Sequence, residues 1–159
     1  SPFAPPVDTS KDAVDGLVVG WRLMEAGEYE LALDAFARHA VDHGTTPELK
    51  AAVGTAYIGL GRLGQAETLL RESLEEGPDH PETWNNLGVV LMEKGKLPEA
   101  ELVFRKAYAL DNGESDSIRD NLRLALAMLE NTDDTVVEDY QNFNLIRRGA
   151  GDFVLMSDL

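Results

Sequence analysis

Apolar residues between positions 13 and 130 recur at steps of three and four, the spacing that keeps side chains on one side of a helix. Trp84, Leu87, Gly88 and Leu91 run this way, and Ala100, Phe104 and Ala107 do so again after a break at Gly95-Lys96. The pattern predicts two amphipathic helices joined by a short turn, with Gly95 taking a left-handed backbone to stop the first. Pro98 falls in the first turn of the second helix, where its missing N–H costs little. Thr46-Pro47-Glu48 has the make-up of a capped helix start with an acid in the first turn.

The helix pair occurs three times. Windows starting at Ala13, Pro47 and Pro81 align with a period of 34. Gly20, Gly54 and Gly88 coincide, as do Gly27, Gly61 and Gly95, then Ala32, Ala66 and Ala100. Val19, Val53 and Leu87 precede the first glycines; Leu23, Tyr57 and Leu91 follow them, and Phe36, Leu70 and Phe104 recur after the alanines. The predicted organisation is an extended Pro-rich leader (1–12) and an array (13–130) of repeats 13–46, 47–80 and 81–114. Residues 115–130 form a further amphipathic helix on Ile118, Leu122, Ala125 and Leu129, which hides the last apolar face. The period stops in the tail, 131–159.

This pattern resembles the tetratricopeptide repeat (TPR) family. The third window carries the family's residues as Trp84, Leu87-Gly88, Ala100, Phe104 and Ala107, and the second carries its proline at Pro78. Departures are Lys50 and Gly16 at the tryptophan place and His39 where alanine is usual. The resemblance implies an all-α, right-handed superhelical solenoid of three helix-turn-helix repeats, a C-terminal capping helix and an extended tail. It also implies a partner in the concave groove lined by the first helix of each repeat. Carried over by position, that lining is Val14, Leu17, Trp21 and Met24, then Ala51, Thr55 and Ile58, then Asn85, Val89 and Met92, with Arg119, Arg123 and Leu126 from the cap. The alternative is that Trp21, Met24 and Met92 simply pack against their neighbours. The family's clamp for chaperone tails is poorly matched, since Asn85 fits it but Val18, Ala51 and Thr55 do not. Arg119 and Arg123 remain able to grip a single carboxylate.

Charge and composition narrow the chemistry. Lysine and arginine total 14 against 29 aspartates and glutamates, a net charge of −15 that repels phosphate backbones and argues against nucleic-acid binding. The absence of cysteine excludes disulfides, thiolate metal sites and cysteine nucleophiles. No stretch reaches the roughly 18 to 20 apolar residues of a membrane span. Gly59-Leu60-Gly61-Arg62-Leu63-Gly64 meets the dinucleotide-binding pattern literally, but that pattern acts only between a strand and a helix. Here it falls on a helix–helix turn, so no cofactor is expected. His39 and His43 have a spacing that suits a metal, yet a third ligand is not evident; no metal site and no catalytic residue are assigned.

The expected function is therefore a non-catalytic protein–protein interaction scaffold for a peptide or helix. The tail supplies one candidate ligand, because Phe143, Leu145, Ile146, Phe153, Val154, Leu155 and Met156 are costly to leave in water. It is expected to fold onto the array in cis, or into another copy in trans, bending at Gly149-Ala150-Gly151. The short acidic chain with its Pro-rich start is also similar to bacterial TPR lipoproteins that assist assembly of pili or secretins, the tight-adherence (Tad) pilus type among them. Ile118-Arg119-Asp120-Asn121-Leu122 resembles their last repeat. That likeness implies a periplasm-facing place in the cell envelope, with membrane contact through a lipid anchor outside this sequence. The alternatives are a cytoplasmic TPR adaptor or chaperone and a small metal-dependent hydrolase using His39 and His43.

Overall fold

The computed structural model describes residues 15–131, 143–148 and 152–157. Among the described residues seven α-helices run in sequence as α1 (Gly16–Glu25), α2 (Tyr29–His43), α3 (Pro47–Gly59), α4 (Leu63–Glu76), α5 (Pro81–Glu93), α6 (Leu97–Asp111) and α7 (Asp116–Glu130). Two strands follow, β1 (Phe143–Arg148) and β2 (Asp152–Ser157). Each odd-numbered helix up to α5 packs on the helix after it, and successive pairs stack, which is the expected all-α helical repeat array. Helix α7 closes it by packing on α6 and α5.

Local chemistry sets the ends of these helices. Thr46 Oγ1 accepts from the Leu49 N–H at 3.2 Å, and Asp15 and Ser115 cap α1 and α7 in the same manner. The turns inside the three repeats centre on Gly27, Gly61 and Gly95, each with φ between +72° and +76°. A Cβ at any of them would meet nothing within 4 Å, so the glycine is there for its backbone and not for space.

Between paired helices the requirement is the opposite. A Cβ on Gly88 would lie 2.4 Å from the Phe104 ring, and one on Gly20 would lie 2.1 Å from the Phe36 ring. These rings fill the gap that the glycines leave, and both are fully buried. The core forms two clusters. One gathers Met24, Ala32, Phe36, Leu49, Ala52 and Ala56; the other runs from Ile58 through α5 and α6 to Met128.

The departures from the repeat pattern have partners. Lys50 places its ammonium 2.7 Å from Glu76 and 3.1 Å from Glu72 of α4, so an ion pair replaces aromatic packing there. Gly16 lies so close to α2 that a Cβ would be 3.0 Å from the His39 Cβ, and His39 Nδ1 sits 2.7 Å from Asp15 Oδ1. A small residue faces a larger one, reversing the usual assignment.

The tail departs from a simple extended segment. β1 and β2 pair antiparallel with Phe143 opposite Ser157 and Arg148 opposite Asp152, and β2 lies against α5 and α7. The leader, Val14 and the expected bend at 149–151 lie outside the described residues.

Candidate functional site: a cleft on the first helices

Helices α1, α3, α5 and α7 contact one another in order and form one face of the array. Its N-terminal half contains an open cleft of about 290 Å³. Leu17 and Trp21 line it from α1, Glu48, Ala51 and Thr55 from α3, and Glu82, Thr83 and Asn86 from α5, with His80 just ahead of α5. Steps of three or four residues put Leu17 with Trp21, Glu48 with Ala51 and Thr55, and both Glu82 and Thr83 with Asn86 on one side of their helices. Trp21 is held by an edge-on contact with Phe36, the ring centroids 5.9 Å apart.

Two buried polar ties cross this face. Thr55 Oγ1 donates to the Ala51 carbonyl at 2.7 Å and accepts from Asn86 Nδ2 at 3.2 Å, joining α3 to α5. Asn121 Nδ2 donates to Asn85 Oδ1 at 3.0 Å, joining α5 to α7. Buried amides need such partners, and these pairs fix one helix relative to the next.

The structure gathers Leu17, Trp21, Ala51 and Thr55 in the cleft. Others of the expected lining have no open surface. Met24 is enclosed by the first core cluster, and Ile58, Val89 and Met92 by the second; Asn85 is buried with its tie to Asn121. Helix α5 is buried from Thr83 to Met92 save for Trp84, because α3, α4, α6, α7 and β2 all lie against it. On α7, Arg119 pairs with Asp116 at 2.5 Å, Arg123 is exposed and Leu126 is half-buried; none of the three borders the cleft. The open cleft thus covers α1, α3 and α5 alone, while β2 lies against α5 and α7. Sequence reasoning missed Glu48, Thr83, Asn86, Glu82 and His80. Asn86 and Asn121 are each the sixth residue of their helix and precede a leucine, but they lie 35 apart, so a strict period of 34 gave no signal for them.

Electrostatics concentrate elsewhere. The Lys94 ammonium, 2.7 Å from Glu67 Oε1, acts with Arg71 and Lys96 to hold the Glu67 carboxyl down at about 2. Arg71 also bonds Glu99, so this network ties α4 to the turn and start of α6. Burial pushes Glu93 up to about 6, with its Oε1 enclosed. His39 and His43 stack with ring centroids 4.2 Å apart, and His43 Nδ1 lies 3.3 Å from the His39 carbonyl. Among the described residues no group of three or more possible metal ligands gathers. The run Gly59 to Gly64 joins α3 to α4, with Gly59 packed against the Tyr29 ring. No helix among the described residues is long and apolar enough to cross a membrane.

Residues 52–115 match the family model of the tetratricopeptide repeat. Over that stretch the helices are tetratricopeptide repeats. The epsilon subunit of coatomer from Dictyostelium discoideum is 35% identical over 88 residues, which are 50% of this chain and 29% of that protein. The chain therefore spans less than a third of that relative's length. Among solved structures, the first TPR of Spaghetti (RPAP3), bound to the HSP90 peptide SRMEEVD, superposes with a TM-score of 0.66 at 18% identity. The match covers 72% of this chain and 93% of that one. The TPR domain of Sgt2 from Aspergillus fumigatus superposes with a TM-score of 0.65 at 21% identity, over 80% of this chain and 82% of that one. At such identities the likeness is one of fold. The TPR architecture and the cleft on its first helices support a protein-interaction scaffold.

Proposed function

We propose that this chain is a non-catalytic scaffold that binds a short peptide or helix of a partner protein in the cleft between α1, α3 and α5. The observation that carries the reading is Trp21 together with Leu17 and Ala51, none of them fully buried, around a hollow of about 290 Å³. Apolar side chains in a hollow are stabilised by an occupant that removes them from water, at about 25 cal/mol per Å². The peptide in the Spaghetti complex, SRMEEVD, carries three acids. Glu48 and Glu82 rim the present cleft, so the reading does not transfer that ligand.

The test is selection of binders from a random dodecapeptide library displayed on phage, using the full chain. A selected peptide should lose about tenfold in affinity on Trp21→Ala, corresponding to about 1.4 kcal/mol. Unchanged affinity in a variant with unaltered helical circular dichroism contradicts the cleft.

The tail is proposed as a standing occupant of the other half, supported by the lie of β2 along α5 and α7. A role in assembling a pilus or secretion complex of the cell envelope, through a lipid anchor outside this sequence, is a further extension. It rests on the overall likeness to Tad-type lipoproteins alone. The reading frame upstream of Ser1 tests it: an export leader ending in a lipid-bearing cysteine supports the envelope, and a leaderless start supports the cytoplasmic adaptor.

A further inference from the structure

The cleft has a charge as well as a shape. Glu48 and Glu82 stand on its rim, both exposed, and no lysine or arginine lines it among the described residues. Neither acid forms an ion pair with another described residue. Each lies in the first turn of its helix, where an acid also suits the helix dipole, so acidity alone would say little. What distinguishes them is position: two successive first helices bring their acids to one hollow that Leu17, Trp21 and Ala51 also line. The chain's net charge of −15 adds a long-range field of the same sign.

Resting on the peptide-binding reading above, we infer that the occupant is a basic segment of a partner protein, with one aliphatic or aromatic residue seated against Trp21 and lysine or arginine reaching Glu48 and Glu82. Apolar burial holds the segment, while the acids set its direction and favour it over neutral or acidic competitors. Lys94, Lys96 and Arg71 are engaged by Glu67, away from the cleft.

The probe is the same displayed dodecapeptide library, panned in parallel on the full wild-type chain, on Glu48→Gln/Glu82→Gln and on Glu114→Gln/Glu130→Gln. The last variant removes equal charge from exposed positions outside the cleft. Wild type is expected to enrich peptides bearing lysine or arginine beside one large apolar residue. Their affinity should fall about tenfold for the cleft variant, fall steeply with added salt, and hold for the distant variant. Equal losses in both variants, or enrichment of neutral or acidic peptides, overturn the basic occupant yet leave a peptide-binding cleft standing. Failure of every peptide to depend on Trp21 removes the cleft itself.

Discussion

The Phe104 ring occupies the space that a side chain on Gly88 would need, and Phe36 and Gly20 stand in the same relation two repeats earlier. The third pair is looser: a Cβ on Gly54 would be 3.1 Å from Leu70 Cγ, the branch of a flexible side chain. Glycine here is a shape, cut to the residue opposite.

Alanine substitution should separate these sites. Gly88→Ala and Gly20→Ala force an aromatic ring or a helix to move and should cost about 2 to 3 kcal/mol. Gly54→Ala should cost under about 1 kcal/mol, because Leu70 can give way and alanine favours the helix. Chemical denaturation midpoints of the three variants check the order; equal losses contradict it.

Glu67 should make the array acid-sensitive. Its folded carboxyl lies below its ordinary 4.5, at about 2, so its contribution is present above 4.5 and lost as pH falls from there towards 2. Glu67→Gln should cost about 1 to 2 kcal/mol at pH 7, allowing for the partial exposure of its cationic partners, and only a small part of that at pH 2. Paired urea titrations along that range measure the difference.

Glu93 works the other way. Burial holds its carboxyl near 6 in the folded chain, so the cost of ionising it appears as pH rises from 4.5 through 6. Glu93→Gln should therefore stabilise the chain by about 1 kcal/mol at pH 7.5, after allowance for partial exposure, and leave it unchanged at pH 4. Thermal melts at the two pH values give the comparison.

The buried amides of Asn85 and Asn121 should be coupled. Asn121→Ala removes the donor to Asn85 Oδ1 inside the array and should cost about 2 kcal/mol. Adding Asn85→Ala should cost less than its single effect, giving a positive coupling in a double-mutant cycle. Simple additivity means the tie does not matter.

Much of the fold was legible because a period of 34 repeats glycines, alanines and aromatics whose roles are steric. Gly95, Pro98 and Thr46 likewise carried their local jobs in their residue types. The candidate site was only half legible. Position within a repeat picked out Leu17, Trp21 and Ala51, which line the cleft, together with Met24, Val89 and Met92, which neighbouring elements bury. A repeat rule describes an array without ends. It has no term for a hairpin lying along α5 and α7, or for polar ties such as Thr55 with Asn86 that occur once.

Photo-crosslinking addresses the cleft most directly. A benzophenone side chain is placed at Ala51 or, separately, at Arg123, and each chain is irradiated with a peptide selected on the wild type. Attachment at position 51, absent at position 123 and suppressed by excess unlabelled peptide, is the predicted result; attachment at 123 with none at 51 contradicts the account.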